Sequence, residues 1–329
     1  MKQSQFERYA LSIIVAATTV AGCGGGSQPS VGPPGAIPQS SARATHAELG
    51  KSWMLTEARR QDLLYVSANV TGEIYIFSYP HGSLVGTIAG LSNPAGLCAD
   101  KSGNVWAVTV TNAGAGTLLE YSHGGTSPIA SLTIPGTDPF GCAVDPMTGN
   151  VAVTNSGDSV SVFAGGPSNP TTYTDSNFYH IFYCGYDDKG DLYADGNSST
   201  GAQLVALPKG ASSLEDVTVN APINYPGAVQ WDGKYVAVAE LSLKVSAKVS
   251  IYRVQIRGSR AKVMETTTLT GKHFIGGFQG WIQNGTYIQP NKQSHMEGFW
   301  RFPQGGNPGK NVTTAGAQNL WGAAVSVAK

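Results

Sequence analysis

The sequence predicts an all-β fold, a six-bladed β-propeller whose blades each have four strands and whose ring is closed by the C-terminal strand. Two observations predict it: a regular spacing of aspartates, and a strand–turn–strand phrase that recurs at the same spacing. Asp100, Asp145, Asp187 and Asp232 each end an apolar run and open a tight turn, 42 to 45 residues apart. A repeat of this length is typical of propeller blades.

The strand–turn–strand phrase is clearest in two copies, P-A-G-L-C-A-D-K-S-G-N-V-W-A-V from Pro94 and P-F-G-C-A-V-D-P-M-T-G-N-V-A-V from Pro139. Further copies start at Phe182 and Pro226. In each copy an Asp side chain can cap the turn and Gly can adopt the positive φ that the turn requires, while alternating Val, Tyr and Trp suit a half-buried strand. We therefore interpret these aspartates as turn residues and not as catalytic residues.

A second recurring feature follows the third strand of a repeat, where an aromatic or apolar residue precedes a short turn. It occurs at Tyr79, Tyr121, Phe163, Leu207 and Phe302. The remaining, fifth repeat has a longer pair of strands instead, at 249–254 and 261–269. This count predicts six blades of four strands each.

The C-terminal stretch 320–327 is predicted to be the innermost strand of the first blade, whose other strands are predicted at 63–67, 73–77 and 84–88. Strands from both ends of the chain would then share one sheet. Such closure removes the free sheet edges and locks the ring.

The N-terminal residues are predicted to lie outside this fold. Lys2 and Arg8 precede an apolar run at 10–21, and Val-Ala-Gly-Cys ending at Cys23 matches the lipobox at which bacterial lipoproteins are cleaved and lipidated. The run is too short for a membrane span. We therefore predict lipidation of Cys23.

The chain divides accordingly into four segments. Residues 1–23 are predicted to be a lipoprotein signal peptide, 24–48 a flexible Gly/Ser/Pro-rich tether, 49–61 a short segment with a helix around 56–61, and 62–329 the propeller. This organisation predicts a lipid-anchored protein of the bacterial cell envelope. Gly24 after the cysteine favours the outer membrane, while the face of the membrane is left open.

Composition agrees with an all-β protein and excludes one class of partner. Charged residues make up only 13% of the chain, and Gly occurs 42 times in 329 residues, as expected where many short strands are joined by turns. Without the leader, 19 basic and 20 acidic residues remain. No basic stripe is available for a phosphate backbone, so we expect no nucleic acid partner. A protein, peptide or carbohydrate ligand, and a membrane bound through the lipid, are the expected partners.

Three cysteines besides Cys23 fall on the predicted innermost strands of successive blades. Cys142 and Cys184 occupy equivalent positions, whereas Cys98 is offset by one residue. Because side chains alternate between the faces of a strand, Cys98 and Cys142 could meet between neighbouring blades and form a disulfide. The alternative is that all three are small buried thiols. Their spacing matches no zinc, redox or haem motif.

A ligand face is predicted at the channel mouth, where the loops that enter the innermost strands meet the loops that join second to third strands. The second set of loops offers polar side chains that could hold a hard cation or hydrogen-bond a sugar or peptide: Asn69, Asn112, Asn155, Asp195, Asn197, Glu240 and Asn291. The alternative is that they are ordinary exposed loop residues. Aromatic residues near the first set could form a platform for a sugar ring or plug the channel: Phe140, Tyr225, Phe274 and Trp321.

The phrase from Pro94 resembles the strand–turn–strand phrase of NHL-repeat and gluconolactonase-like six-bladed propellers, and the resemblance covers most of the chain after about residue 62. It implies the fold and, for the lactonases, a metal held by an Asn or Asp directly after the Pro. Ala95, Phe140 and Gly227 occupy those positions here, so the resemblance does not extend to the lactonase metal site.

Streptogramin lyases are a similar group and use a histidine in a metal-assisted elimination. Because His81 and His123 are predicted in outer turns, this resemblance leaves His180, His273 and His295 as candidates.

The chain has no Gly-x-Ser-x-Gly elbow, no His-Glu-x-x-His and no phosphate-binding loop followed by Lys-Ser or Lys-Thr, so no catalytic residue and no cofactor is predicted. The leading hypothesis is a binding or interaction module with its ligand at the channel mouth. The alternative is a divergent Ca²⁺- or Mg²⁺-dependent hydrolase or lyase that uses Asn155, Asp195 and Glu240 as metal ligands and His180 or His273 as base. A third possibility is a structural role in an envelope complex without a small ligand.

Overall fold

The structure is a computed structural model that describes residues 51–165, 169–241, 248–271, 278–291, 295–313, 317 and 319–329. Cys23, the leader and the tether lie outside the described residues, as do His273 and Phe274. No helix in the described part of the chain is long and apolar enough to cross a membrane.

The strands of the first half are β1 (Trp53–Met54), β2 (Leu63–Ala68), β3 (Glu73–Ser78), β4 (Leu84–Ile88), β5 (Pro94–Ala99), β6 (Val105–Val110), β7 (Gly116–Tyr121), β8 (Ala130–Ile134), β9 (Pro139–Val144), β10 (Val151–Asn155), β11 (Ser159–Phe163) and β12 (Thr171–Thr174). Those of the second half are β13 (Phe178–Tyr186), β14 (Leu192–Ser198), β15 (Gly201–Leu207), β16 (Glu215–Val219), β17 (Pro226–Trp231), β18 (Val236–Glu240), β19 (Val249–Arg257), β20 (Arg260–Leu269), β21 (Trp281–Gln283), β22 (Thr286–Asn291), β23 (Met296–Arg301), β24 (Lys310–Thr313) and β25 (Leu320–Ser326).

The described strands form five sheets. Three have four antiparallel strands, β5–β8, β9–β12 and β21–β24. A fourth has the order β1-β4-β3-β2-β25, so the C-terminal strand pairs with β2. The fifth has eight strands, in which two antiparallel halves of four, β13–β16 and β17–β20, are joined by one parallel contact between β16 and β20.

Neighbouring sheets contact each other at or next to their innermost strands. Thr154 Oγ1 of β10 donates to the carbonyl of Phe182 in β13, and Gln230 Nε2 of β17 donates to the carbonyl of Ile282 in β21. The N–H of Gln279, just before β21, donates to the carbonyl of Trp321 in β25. The result is an all-β propeller arrangement of antiparallel four-stranded sheets, which confirms the prediction at this level.

The Pro-x-Gly start of the recurring phrase is explained by a β-bulge. In β5 and β9 the residues after the Pro include one residue more than the partner strand, and the ladder register shifts there. A Cβ on Gly96 would lie 2.4 Å from the carbonyl oxygen of Phe140, and one on Gly141 would lie 2.9 Å from that of Phe182. Glycine is required because the innermost strands approach each other this closely.

The recurring aspartates cap turns. Asp100 Oδ1 accepts hydrogen bonds from the N–H groups of Ser102 (2.7 Å) and Asn104 (2.9 Å), and Asp187 Oδ1 does the same for Lys189 and Asp191, both at 2.9 Å. This is the turn role that the sequence predicts for them.

The segment before the propeller packs on its outer edge. β1 pairs with β4, and a 3₁₀-helix at Thr56–Arg60 buries Ala58. The predicted helix is therefore present in its tighter 3₁₀ form, one residue shorter than expected. The core is divided into clusters between adjacent sheets, such as the one that joins Leu64 and Tyr75 to Ile288 and Phe299.

Candidate functional site

The seven predicted ligand-face residues lie at the same end of the second strands but differ in exposure. Asn155, Asp195 and Asn291 are at most 2% exposed, whereas Asn69, Asn112, Asn197 and Glu240 are half-buried or exposed. All seven are predicted in loops, and this is wrong for five of them. Asn155, Glu240 and Asn291 are the last residues of their strands, and Asp195 and Asn197 lie inside β14, because the ladder with β15 continues to Ser198 and Gly201.

Two of the seven, Asn69 and Asn112, line one groove. It has a volume of about 420 Å³ and is formed by the loop after β2, the loop that enters β5 and the loop after β6. Its lining residues are all uncharged: Asn69, Val70, Thr71, Gly72, Leu91, Ser92, Asn93, Thr111 and Asn112. We call it the amide groove.

Hydrogen bonds hold the amide groove in shape. Asn93 Nδ2 donates to the carbonyl of Val110 (2.9 Å) and to Asn112 Oδ1 (3.1 Å). The N–H of Asn69 donates to the carbonyl of Asn319 at 3.1 Å, and its Nδ2 donates to the carbonyl of Pro94 at 3.4 Å. Among the described residues, these bonds leave Asn112 Nδ2 without a protein acceptor. The groove therefore presents fixed amides with capacity left for a ligand.

Aromatic rings from different sheets meet at the innermost strands. The centroid of Trp321 is 4.0 Å from that of Phe278 and 5.5 Å from that of Phe140, and Phe140 is 5.1 Å from Phe182. Phe140, Phe182 and Trp321 occupy bulges of their strands, where the extra residue re-aims its side chain. The rings pack on one another, as expected of a plug.

Two members of this plug, Phe140 and Trp321, are among the aromatic residues predicted near the channel, whereas Phe182 and Phe278 are not. Phe182 starts a copy of the recurring phrase, so aligning this copy with the one that contains Phe140 could have identified it. Tyr225 is 42% exposed and makes no ring contact within the described residues.

The three proposed metal ligands make separate contacts. Asp195 Oδ1 accepts from the N–H of Tyr183 at 3.0 Å, Glu240 Oε1 accepts from Asn224 Nδ2 at 2.8 Å, and Asn155 Nδ2 donates to Ser159 Oγ at 3.2 Å. Within the described ranges, no group of three or more His, Cys, Asp or Glu side chains could hold a metal ion.

The Asp195 carboxyl accepts hydrogen bonds from the backbone of two innermost strands, β13 and β17. Burial raises the pKa of its carboxyl well above the usual value, and the N–H groups of Tyr183 and Gly227 only partly oppose this shift. Ser67 makes the corresponding contacts in the first sheet, where its Oγ accepts from the N–H of Gly322 (2.9 Å) and donates to the carbonyl of Ala95 (2.6 Å). These side chains satisfy backbone groups that the bulges leave without a ladder partner.

The histidines that the structure describes belong to no group that could hold a metal ion. His180 Nδ1 lies 3.2 Å from Ser156 Oγ, and His295 is half-buried at a φ of 52°. His123 Nδ1 lies 2.6 Å from Ser326 Oγ of β25, and burial lowers the pKa of its imidazole. His123 therefore contacts the closing strand rather than the channel.

Cys98 and Cys142 form a disulfide between β5 and β9, with Cα atoms 5.7 Å apart, and Cys184 is a buried free thiol. Burial raises the pKa of Cys184 above the range in which a thiolate forms readily.

Two features have no counterpart in the sequence analysis. Glu297 of β23 is fully buried, and neither carboxyl oxygen has a hydrogen-bond partner in the described chain. Burial raises the pKa of this carboxyl well above its usual value. At the opposite end of the sheets, the Arg253 guanidinium is paired with Asp232 at 2.5 Å and with Glu265. A cleft of about 400 Å³ lies beside this pair.

Comparisons with known proteins support the fold. No protein-family model matches the chain, and no curated protein matches it. A chain in the crystal structure of a nidogen/laminin complex superposes with a TM-score of 0.65 at 12% identity, covering 82% of this chain and 99% of that chain. The chain adopts a β-propeller fold.

Hydrazine synthase of Kuenenia stuttgartiensis is also similar, with a TM-score of 0.53 at 12% identity over 81% of this chain and 80% of that chain. At this identity the likeness of a propeller to either protein concerns the fold alone, because one fold supports many functions.

Proposed function

We propose that this protein is a binding module whose ligand occupies the amide groove at the channel mouth. The observation that carries the proposal is the groove itself, in which Asn69, Asn93 and Asn112 present hydrogen-bonding groups on ordered loops. Small-ligand sites are typically concave and largely pre-formed. Hydrogen bonds hold the Asn93 and Asn112 side chains of this groove in place, although its lining is more polar than is usual for such sites.

Binding is preferred to catalysis because, in the described ranges, no group of three or more His, Cys, Asp or Glu side chains could hold a metal ion, and the candidate side chains make separate contacts. Asp195 is bonded to the backbone beside the bulge, Glu240 to Asn224, and His180 contacts Ser156. A general base must instead reach the proton that it removes, and a metal ligand must reach the metal ion.

The finer identity of the chain is part of the same proposal. We count six blades, with the eight-stranded sheet as two, and place the chain near the NHL-type propellers on the strength of its recurring phrase. We also propose lipidation at Cys23, which would tether the module to the bacterial envelope. Gly24 directly after this cysteine favours the outer membrane.

The test is a ligand screen by thermal unfolding of the full chain carrying Cys23→Ser, which removes the proposed lipid. A ligand at 100 times its Kd stabilises the folded state by about 2.7 kcal/mol. We expect a stabilising peptide or oligosaccharide whose effect is lost in Asn112→Ala. The matched control is Asn311→Ala, an exposed Asn on β24 outside the groove. Equal stabilisation of both variants would place the ligand elsewhere and refute the proposal.

A further inference from the structure

We propose that the ligand of the amide groove is a neutral carbohydrate; this inference rests on the proposed function and gives it a ligand class. Six of the nine lining residues offer an amide or a hydroxyl, and none is charged. A sugar hydroxyl both donates and accepts, and an Asn amide supplies both partners in one plane. A groove without charge has no complementary group for an ionic ligand, whose desolvation would remain uncompensated.

The groove is pre-organised for such a ligand. Asn112 Oδ1 and Asn93 Nδ2 are bonded to each other, and the Thr111 hydroxyl accepts from the N–H of Ala115 at 3.1 Å. Each of these bonds fixes a side chain before the ligand arrives. Binding therefore loses little side-chain entropy, which matters for a ligand held mainly by hydrogen bonds.

Apolar contact comes from one side. Val70 is 60% exposed at the groove, and Leu91 lines it from the loop that enters β5. The C–H face of a pyranose ring is apolar while its edge carries hydroxyls. Val70 and Leu91 offer a surface for that face, and the amides meet the edge.

The lining speaks against a peptide. All nine residues lie in loops, so the groove contains no free strand edge whose N–H and C=O groups could extend a sheet with a peptide strand. Val70 and Leu91 are the only apolar side chains among the lining residues, too few to form separate pockets for peptide side chains. A volume of about 420 Å³ suits a short segment of a sugar chain.

The experiment is isothermal titration calorimetry of the full chain with Cys23→Ser. The probes are the hexasaccharides of cellulose, starch, mannan and chitin as neutral sugars, a galacturonic acid hexamer as a charged sugar, and a Gly/Ser hexapeptide. We expect at least one neutral hexasaccharide to bind with an affinity that is the same at low and high salt, because no ion pair forms. Asn112→Ala should weaken binding about tenfold, and Asn311→Ala should leave it unchanged.

The outcomes separate this inference from the proposed function. One outcome is that the hexapeptide or the charged sugar binds in a way that depends on Asn112 while no neutral sugar binds. This would overturn the proposal of a neutral carbohydrate ligand but would leave the proposed binding module standing. If no probe bound in a way that depends on Asn112 or on Asn69, both would be overturned. Because Asn112 is exposed, its variant is expected to fold, and circular dichroism checks this.

Discussion

The disulfide between Cys98 and Cys142 should contribute a large share of the stability of the ring. It joins the first strands of neighbouring sheets, β5 and β9, and both cysteines are at most 2% exposed. A cross-link stabilises a protein mainly by limiting the conformations of the unfolded chain, and the gain grows with the length of the closed loop. We therefore expect the double variant Cys98→Ala/Cys142→Ala to unfold much more easily than the parent chain.

The magnitude follows from the sequence separation of 44 residues between the two cysteines. The chain-entropy relation for a loop of this length gives about 4 kcal/mol at 25 °C. In a protein of this size, 1 kcal/mol corresponds to roughly 2–4 °C in Tm, so the double variant should lose about 8–16 °C.

The assay is urea unfolding and thermal melting of the Cys23→Ser chain, the double variant and a Cys184→Ala control. Thiol titration of denatured Cys23→Ser protein should count one free thiol, that of Cys184, before reduction and three after it. Reductant should lower the stability of the parent and of the control but not of the double variant. A loss below about 1 kcal/mol in the double variant, or three thiols before reduction, would refute the reasoning.

Four further predictions test the fold and the site. Gly96→Ala should cost about 1–3 kcal/mol in the unfolding free energy, because the added methyl meets the carbonyl of the next innermost strand, while Gly157→Ala, with open space around it, should cost far less. Glu297→Gln should flatten the pH dependence of Tm: burial raises the pKa of Glu297, so its contribution to stability is complete below the unfolded-state pKa near 4.5 and is lost as pH rises above it. The Tm of the parent should therefore fall relative to that of the variant as pH rises, and exposed Glu57→Gln is the control. Deletion of 320–329 removes β25 and should abolish the cooperative melt seen by near-UV circular dichroism, whereas removal of the last residue alone should not. Chelator should leave both Tm and the mass of the native protein unchanged, because no group of three or more His, Cys, Asp or Glu side chains in the described ranges could hold a metal ion; a divalent ion released in stoichiometric amount would contradict this.

Much of the fold could be predicted from the sequence because its information is local and repeated. The phrases from Pro94 and Pro139 encode a bulged strand, a capped turn and a second strand within fifteen residues, and the structure contains all three in both copies. The Cys98–Cys142 disulfide, one of the two alternatives for these cysteines, likewise needs only local information: their one-residue offset and the alternation of side chains along a strand. The repeat length and the alternation of side chains along a strand can both be read from the sequence without knowing which distant residues are in contact.

The candidate site could be predicted only in part. Asn69 and Asn112 follow short second strands and line the amide groove, but Asp195 at a similar position lies in a strand that continues. The sequence around Asp195 does not show how far β14 extends, since this depends on its pairing with β15. The sequence does not reveal the burial of Glu297 for a related reason: Glu297 pairs with Pro290 and Val312, and only this pairing within the sheet buries it fully.

The unpaired backbone groups of the innermost strands explain which polar side chains remain available to a ligand. The innermost strands are bulged and crowded, so their backbone groups lack ladder partners, and polar side chains near the channel satisfy them: Gln279 bonds both the N–H and the carbonyl of Leu97, at 2.8 and 2.9 Å. Ser67 and Asp195 serve neighbouring strands in the same way. These three polar residues near the innermost strands therefore bond backbone groups of the fold before any ligand is considered, whereas the carboxyl of Glu297 in β23 bonds none in the described part of the chain. In the loops the backbone makes no such demand. There Asn112 lines the groove, its side-chain oxygen accepts one hydrogen bond from Asn93, and its nitrogen has no acceptor among the described residues. We expect ligand recognition where side chains retain hydrogen-bonding groups that the fold does not use.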